Sequence, residues 1–237
     1  MPPSSSSFRS RRLCRVRAAV CLAAGLGLLG GLATARADED GFSERWNAAQ
    51  AAGRIQPLEA APPPVQGLLS WLRGPVGAAL LALLVEEGRR EQVTFRTTCR
   101  REAAAAGYLD AGDRVEILRV LSFSDWYAPG QSAHVLIGKA TRGVPWAIHT
   151  HSWGNAMSGT LAGLTDDFAY ATSQGGRPGI LICLPLREAD GTESIDGGRL
   201  QIIAPVDDNI GCYEGRWLRS VDGIVLAAAE RESGVRR

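Results

Sequence analysis

Gly179-Ile-Leu-Ile-Cys-Leu-Pro-Leu186 is the stretch on which the reading of the fold turns. It carries no charge and is rich in branched apolar side chains, so it reads as a strand buried on both faces. Working outward, short β-branched runs at 92–98, 114–123, 146–153, 199–204 and 217–227 read as further strands, separated by Gly, Pro and Asp. Between them, 100–109, 132–141 and 160–170 read as helices. Many strands with a few interspersed helices predict a mixed, β-rich α+β domain over 92–237, and no internal repeat is visible.

The chain before this domain has another texture. Ser43 to Gly53 reads as a short helix with a serine N-cap and a glycine stop. Pro57 and Pro62-Pro63-Pro64 form a stiff linker. Residues 65–87 are apolar and helical in composition but are interrupted by Gly74-Pro75, which predicts two helices meeting at a corner. The second half, 76–85, is about half the length that a membrane span needs, so it reads as a packing helix. Residues 38–91 are thus a helical N-terminal segment.

Residues 1–37 read as a signal peptide. Arg9, Arg11, Arg12, Arg15 and Arg17 form a basic start, 18–32 an apolar stretch, and Ala35-Arg36-Ala37 an A-x-A-like cleavage site. Ser10-Arg11-Arg12 before a weakly hydrophobic stretch resembles the twin-arginine signal of proteins exported folded, general secretion being the other route. The expected location is periplasmic or extracellular, with no stable membrane span after cleavage. The first 37 residues hold six arginines and no acid, so 20 basic and 25 acidic residues follow them. A net charge near −5 gives no electrostatic footprint for nucleic acid or anionic lipid. Cys99, Cys183 and Cys212 follow the signal; an odd count in an oxidising compartment predicts at least one free thiol.

The residues with chemistry in them begin at His149-Thr-His151-Ser-Trp-Gly-Asn155. On a strand, positions two apart face the same side, so His149 and His151 present their imidazoles together. With a thiolate such as Cys183 they would suit zinc or copper; hydrogen-bonded polar strand residues are the alternative. Cys183 itself, in so apolar a run, reads as an inert buried thiol with a raised pKa. It becomes a nucleophile only if the fold brings His134, His149 or His151 beside it.

Three resemblances bear on function. Leu181-Ile-Cys-Leu-Pro followed by Arg199-Leu-Gln-Ile-Ile-Ala is similar to the cysteine and arginine strands of sortase transpeptidases, with Ile182 where those enzymes usually have threonine. That implies a cell-envelope cysteine hydrolase or transpeptidase using Cys183 with His149 or His151 and Arg199. Ala133-His-Val-Leu-Ile-Gly138 with Gly143-Val-Pro-Trp-Ala-Ile-His149 resembles the histidine strands of papain-like cell-wall peptidases, without their Asp-Cys-Ser-Gly segment.

The longest match runs from Ile180-Leu-Ile-Cys-Leu-Pro-Leu186 through Asp190-Gly191 and Gly197-Gly-Arg-Leu-Gln-Ile-Ile-Ala-Pro205 to Gly215-Arg-Trp-Leu-Arg-Ser-Val-Asp-Gly-Ile-Val-Leu226. This resembles the molybdopterin-binding oxidoreductase domain of the sulfite oxidase class, over roughly 115–227. The resemblance implies a sulfite-oxidase-like fold and a molybdopterin cofactor. It implies cofactor contacts from Arg199, Gln201, Arg216, His149 and Asn155, with a redox partner. The family's metal-ligating cysteine has no counterpart in Val120-Leu-Ser-Phe-Ser-Asp-Trp126, which leaves Cys99 as the candidate ligand or points to a metal-free relative binding a pterin or similar small anion. Cys99, Cys183 and His151 are the candidate catalytic residues. A non-enzymatic envelope binding module is the third reading.

Overall fold

In the computed structural model the described residues are 43–131, 133–159, 167–172, 176–220 and 223–228. The export segment read over 1–37 lies outside them. A short helix α1 (Glu44–Ala51) leads into β1 (Ile55–Pro57), a single 3-10 turn (Leu58–Ala60) and two helices, α2 (Pro63–Arg73) and α3 (Pro75–Arg89). Each of these two helices has proline in its first turn, where a missing N–H costs nothing. They meet at Gly74 at an angle of 83°, as the Gly-Pro interruption predicts. Among the described residues no single helix is long and apolar enough to cross a membrane.

The strands follow: β2 (Gln92–Thr94), β3 (Thr97–Cys99), β4 (Ala103–Leu109), β5 (Val115–Phe123), β6 (Val144–His151), β7 (Ile180–Pro185), β8 (Gly197–Val206), β9 (Asn209–Ser220) and β10 (Gly223–Ala228). A helix α4 (Asp167–Ala171) lies between β6 and β7. Eight strands form one mixed sheet in the order β1-β9-β8-β7-β6-β4-β5, with β10 sharing an edge of β9 with β1. Only β6–β7 and β1–β9 are parallel pairs. The class is α+β: a large mixed sheet with a few helices.

Alternation divides the side chains of the sheet between two cores. Trp146, Ile148, Ile182, Leu184, Leu200 and Ile202 pack under α2 and α3. Ala147, Leu181, Cys183, Ile203 and Cys212 face the opposite side, with Trp46 of α1 and Phe168 of α4. Helix α3 lies so close to the sheet at Gly88 that a Cβ there would stand 2.6 Å from Thr150 Oγ1 and 2.9 Å from Leu186 Cδ1.

Four local readings are corrected. Residues 100–109 are not a helix: Ala103–Leu109 is a strand buried at every position. Alanine favours helix, but here small residues are needed for room, since a Cβ on Gly107 would fall 2.5 Å from the Trp146 ring. The described part of 132–141 has no helix either. Its burial alternates with every second residue from 133 to 139, as an extended chain requires. The strand read over 92–98 is a two-stranded hairpin turning at Phe95-Arg96, both with positive φ. The strand read over 217–227 is split between the antiparallel strands β9 and β10. Of the helix read over 160–170, α4 starts at Asp167, and residues 160–166 lie outside the described residues.

Candidate metal centre

The centre is set by the register of neighbouring strands. On the face away from α2 and α3, Ala104 of β4 stands opposite His149 of β6, His149 opposite Cys183 of β7, Cys183 opposite Gln201 of β8, and Gln201 opposite Glu214 of β9. One row of the sheet therefore carries an imidazole, a thiol, an amide and a carboxylate at strand spacing, about 4.8 Å. His151, two residues on from His149, points to the same side.

Because β6 and β7 are adjacent and parallel, the chain between them must cross a face of the sheet. It crosses the face that holds His149, His151 and Cys183. The first part of the crossing, 152–159, folds back over the imidazoles. Met157 N–H donates to Gln201 Oε1 at 2.6 Å, and Ser158 N–H donates to Asp167 Oδ2 at 2.8 Å. The guanidinium carbons of Arg100 and Arg187 lie 4.4 and 4.9 Å from the Trp153 ring centre, and the indole N–H donates to Tyr127 O. Arg100 in turn donates to Ser152 O and to Glu91 and Glu193.

Asp167 enters from the start of α4. Its Oδ1 is 3.3 Å from His149 Nε2 and its Oδ2 3.2 Å from His151 Nε2. The two Nε2 atoms are 2.9 Å apart. One donor atom from each of His149, His151, Asp167 and Cys183 lies within 4.8 Å of every other. Among the described residues this is the only such grouping.

The protonation of these groups is settled jointly. Burial disfavours the imidazolium of His149, but the carboxylate of Asp167 and the thiol of Cys183 outweigh it and push its pKa up to about 10. His151 is also raised against its burial by Cys183 and Asp167. Burial would raise Asp167, yet His149 and His151 hold it well below the ordinary carboxylate value. Burial likewise works to raise Cys183, and His151 and His149 lower it on balance. Cys183 is buried as expected, but its pKa is lowered rather than raised: the cation that the sequence run lacked comes from the neighbouring strand.

His151 Nδ1 lies 2.6 Å from Ala156 O. A carbonyl can only accept, so Nδ1 carries the proton there and Nε2 turns its lone pair inward when the ring is neutral. His149 Nδ1 is buried with no hydrogen-bond partner among the described residues. Both rings therefore direct Nε2 at the same point.

A second buried carboxyl stands beside the cluster. Glu102 is one residue before β4, and its side chain accepts a 3.3 Å hydrogen bond from Tyr127 Oη. Burial raises its pKa, opposed by the charges of His151 and His149. Tyr127 is raised by its burial and then by Glu102.

The remaining predicted site residues divide. Arg199, Gln201 and Arg216 do share the face of Cys183. Arg199 Nη1 is 3.4 Å from Glu214 Oε1, Gln201 Nε2 donates to the same oxygen at 3.1 Å, and Arg216 Nη2 pairs with Glu188 Oε1 at 3.1 Å. Asn155 lies partly exposed on the crossing loop. Cys99 is not brought to the centre: it sits on the β2–β3 hairpin with its thiol 3.7 Å from Thr97 O. Cys99, Cys183 and Cys212 are all free thiols. Sequence reasoning missed Asp167 and Glu102. The acidic Asp166-Asp167 pair, inside a segment read only as helix, was the one signal for the former. Comparison with protein-family models, curated proteins and solved structures gives no match for this chain.

Proposed function

We propose that this protein binds one transition-metal ion, zinc before copper, through His149, His151, Cys183 and Asp167. The observation that carries the reading is the convergence of four donor atoms of different chemistry within 4.8 Å, with the His151 tautomer fixed by Ala156 O. Two imidazoles and a thiolate suit zinc and copper alike, whereas a carboxylate is a hard ligand that disfavours copper in its reduced state. Four protein ligands at this spacing fit tetrahedral zinc. The loop contacts to Asp167 and His151 are the outer support that orients such ligands. The signal read over 1–37 would place this activity outside the cytoplasm.

Two other readings fit less well. A Cys183 hydrolase would relay through one imidazole, with one ring nitrogen on the thiol and the other on the carboxylate. Here His151 uses Nδ1 on a carbonyl, His149 Nδ1 has no partner among the described residues, and the thiol is fully buried. A molybdopterin needs unengaged donors for its anionic tail. Arg199 and Arg216 are each turned to a glutamate, and Gln201 uses both ends of its amide within the fold, so these residues do not fit that cofactor. The sulfite-oxidase-like arrangement then rests on the motif order from Ile180 to Leu226 alone.

Elemental analysis of the purified, dialysed protein tests the proposal. The expected result is one zinc per chain, lost in Cys183→Ser and in His149→Ala. A folded wild-type protein that takes up neither zinc nor copper would overturn it.

A further inference from the structure

Three of the four ligands and the fourth are held in different ways. His149, His151 and Cys183 belong to β6 and β7, each of which is hydrogen-bonded to a strand on both sides. Asp167 lies on α4, outside the sheet. Its side chain is 15% exposed, against 2% for His149 and 10% for His151. It also has a partner that is not a ligand, the Ser158 N–H, which satisfies one oxygen whether or not the carboxylate reaches an ion. Charge points the same way. A dication with a thiolate and a carboxylate is neutral, but with the thiolate alone it keeps one positive charge in a poorly solvated site, which favours an incoming anion.

Resting on the metal reading above, we infer that Asp167 is an exchangeable ligand, and that the centre opens from a closed His149-His151-Cys183-Asp167 set to one that takes water or a small anion in the place of Asp167. In the exchange the bond from the ion to the Asp167 oxygen breaks and one to the incoming donor forms. The carboxylate keeps its charge and its hydrogen bond to Ser158 N–H. Nothing is oxidised or reduced. The open form is a Lewis acid with a free position, the arrangement of a metal site that acts on a substrate.

Cobalt(II) loaded in place of zinc makes the exchange visible, because its visible bands report ligand number and its near-ultraviolet band reports the thiolate. Azide titrated into the cobalt-loaded wild-type protein should shift the visible bands saturably while the thiolate band persists. Asp167→Ala removes the competing carboxylate, and if the open form is about one tenth of the wild type, the variant should saturate at about tenfold lower azide. Azide that leaves the wild-type spectrum unchanged would show Asp167 to be a fixed ligand and overturn the inference, as would equal azide affinity in the two proteins. Asp167→Asn serves if the alanine variant does not fold. Failure of the wild type to take up cobalt at all overturns the metal reading itself, a result distinct from azide silence.

Discussion

The two faces of the eight-stranded sheet use alternate residues of the same strands and reach opposite solutions. Under α2 and α3, Trp146, Ile148, Ile182 and Leu184 meet Leu81 and Leu84, a core held by apolar area. On the other face the alternate residues of the same strands include His149, His151 and Cys183, whose burial is unfavourable unless something answers their polarity. The face under α2 and α3 is closed by apolar side chains throughout. The other face, under α1, α4 and the 152–159 loop, answers those polar groups with Asp167 and the Ala156 carbonyl. Fold and chemistry are thus separated by one residue of strand alternation.

That separation can be broken from either side. The largest effect is expected on the polar face: Cys183→Ser or His149→Ala should take metal content from one ion per chain to none, measured by elemental analysis. Next, Leu84→Ala on the apolar face should cost about 2–5 kcal/mol in urea denaturation while leaving metal content unchanged, because it removes buried methyl groups from the core on the opposite side of the sheet. A variant that loses both together would show the faces to be coupled.

A subtler distinction lies in pH. In the metal-free protein His149 is raised from 6.5 to about 10 and His151 is raised also, so their stabilisation is complete below about 6.5 and is lost as pH rises toward 10. Cys183, lowered from 9.0, acts in the opposite sense, but two imidazoles outweigh one thiol. Asp167 is lowered from 3.8, so its contribution is present above that value and is lost on acidification. Metal-free stability should therefore decline from pH 6.5 to 10, while the stabilisation added by zinc grows, since fewer protons compete for the ligands. Melting temperatures with and without zinc across this range check both slopes.

The smallest change is a control off both faces. Phe95 and Arg96 form a two-residue turn with φ of 49° and 65°, a conformation that suits Asn-Gly, and Phe95 is 97% exposed. Replacing the pair by Asn-Gly should raise stability by about 1 kcal/mol, read by denaturation, with metal content and pH slope unaltered.

Part of this centre was legible in the sequence. His149 and His151 share a side because strand side chains alternate, and Cys183 sits in a run that could only be a buried strand. Their meeting was not legible: pairing of β6 with β7 joins residues 34 apart in the chain, and no local pattern encodes it. Asp167 was hidden because a crossing connection carries its function in where it passes, not in its periodicity. Glu102 was hidden inside 100–109, which reads as a helix; it stands instead just before a buried strand, and the two arginines before it are engaged by glutamates. The alanine run at 103–106 was misread because alanine favours helix, whereas this strand lies against β6, with Gly107 leaving room for the Trp146 ring.

The parallel register of β6 and β7 has one more consequence. A slip of a single residue between strands turns every side chain of the shifted strand to the other face. If β6 moved so against its neighbours, both imidazoles would be driven into hydrocarbon, while Trp146 and Ile148 would occupy the donor side. Wrong pairings of this sheet would therefore be chelation-incompetent. An ion held as proposed would bind only the correctly zipped strands, and would so act as a proofreader of the sheet that surrounds it.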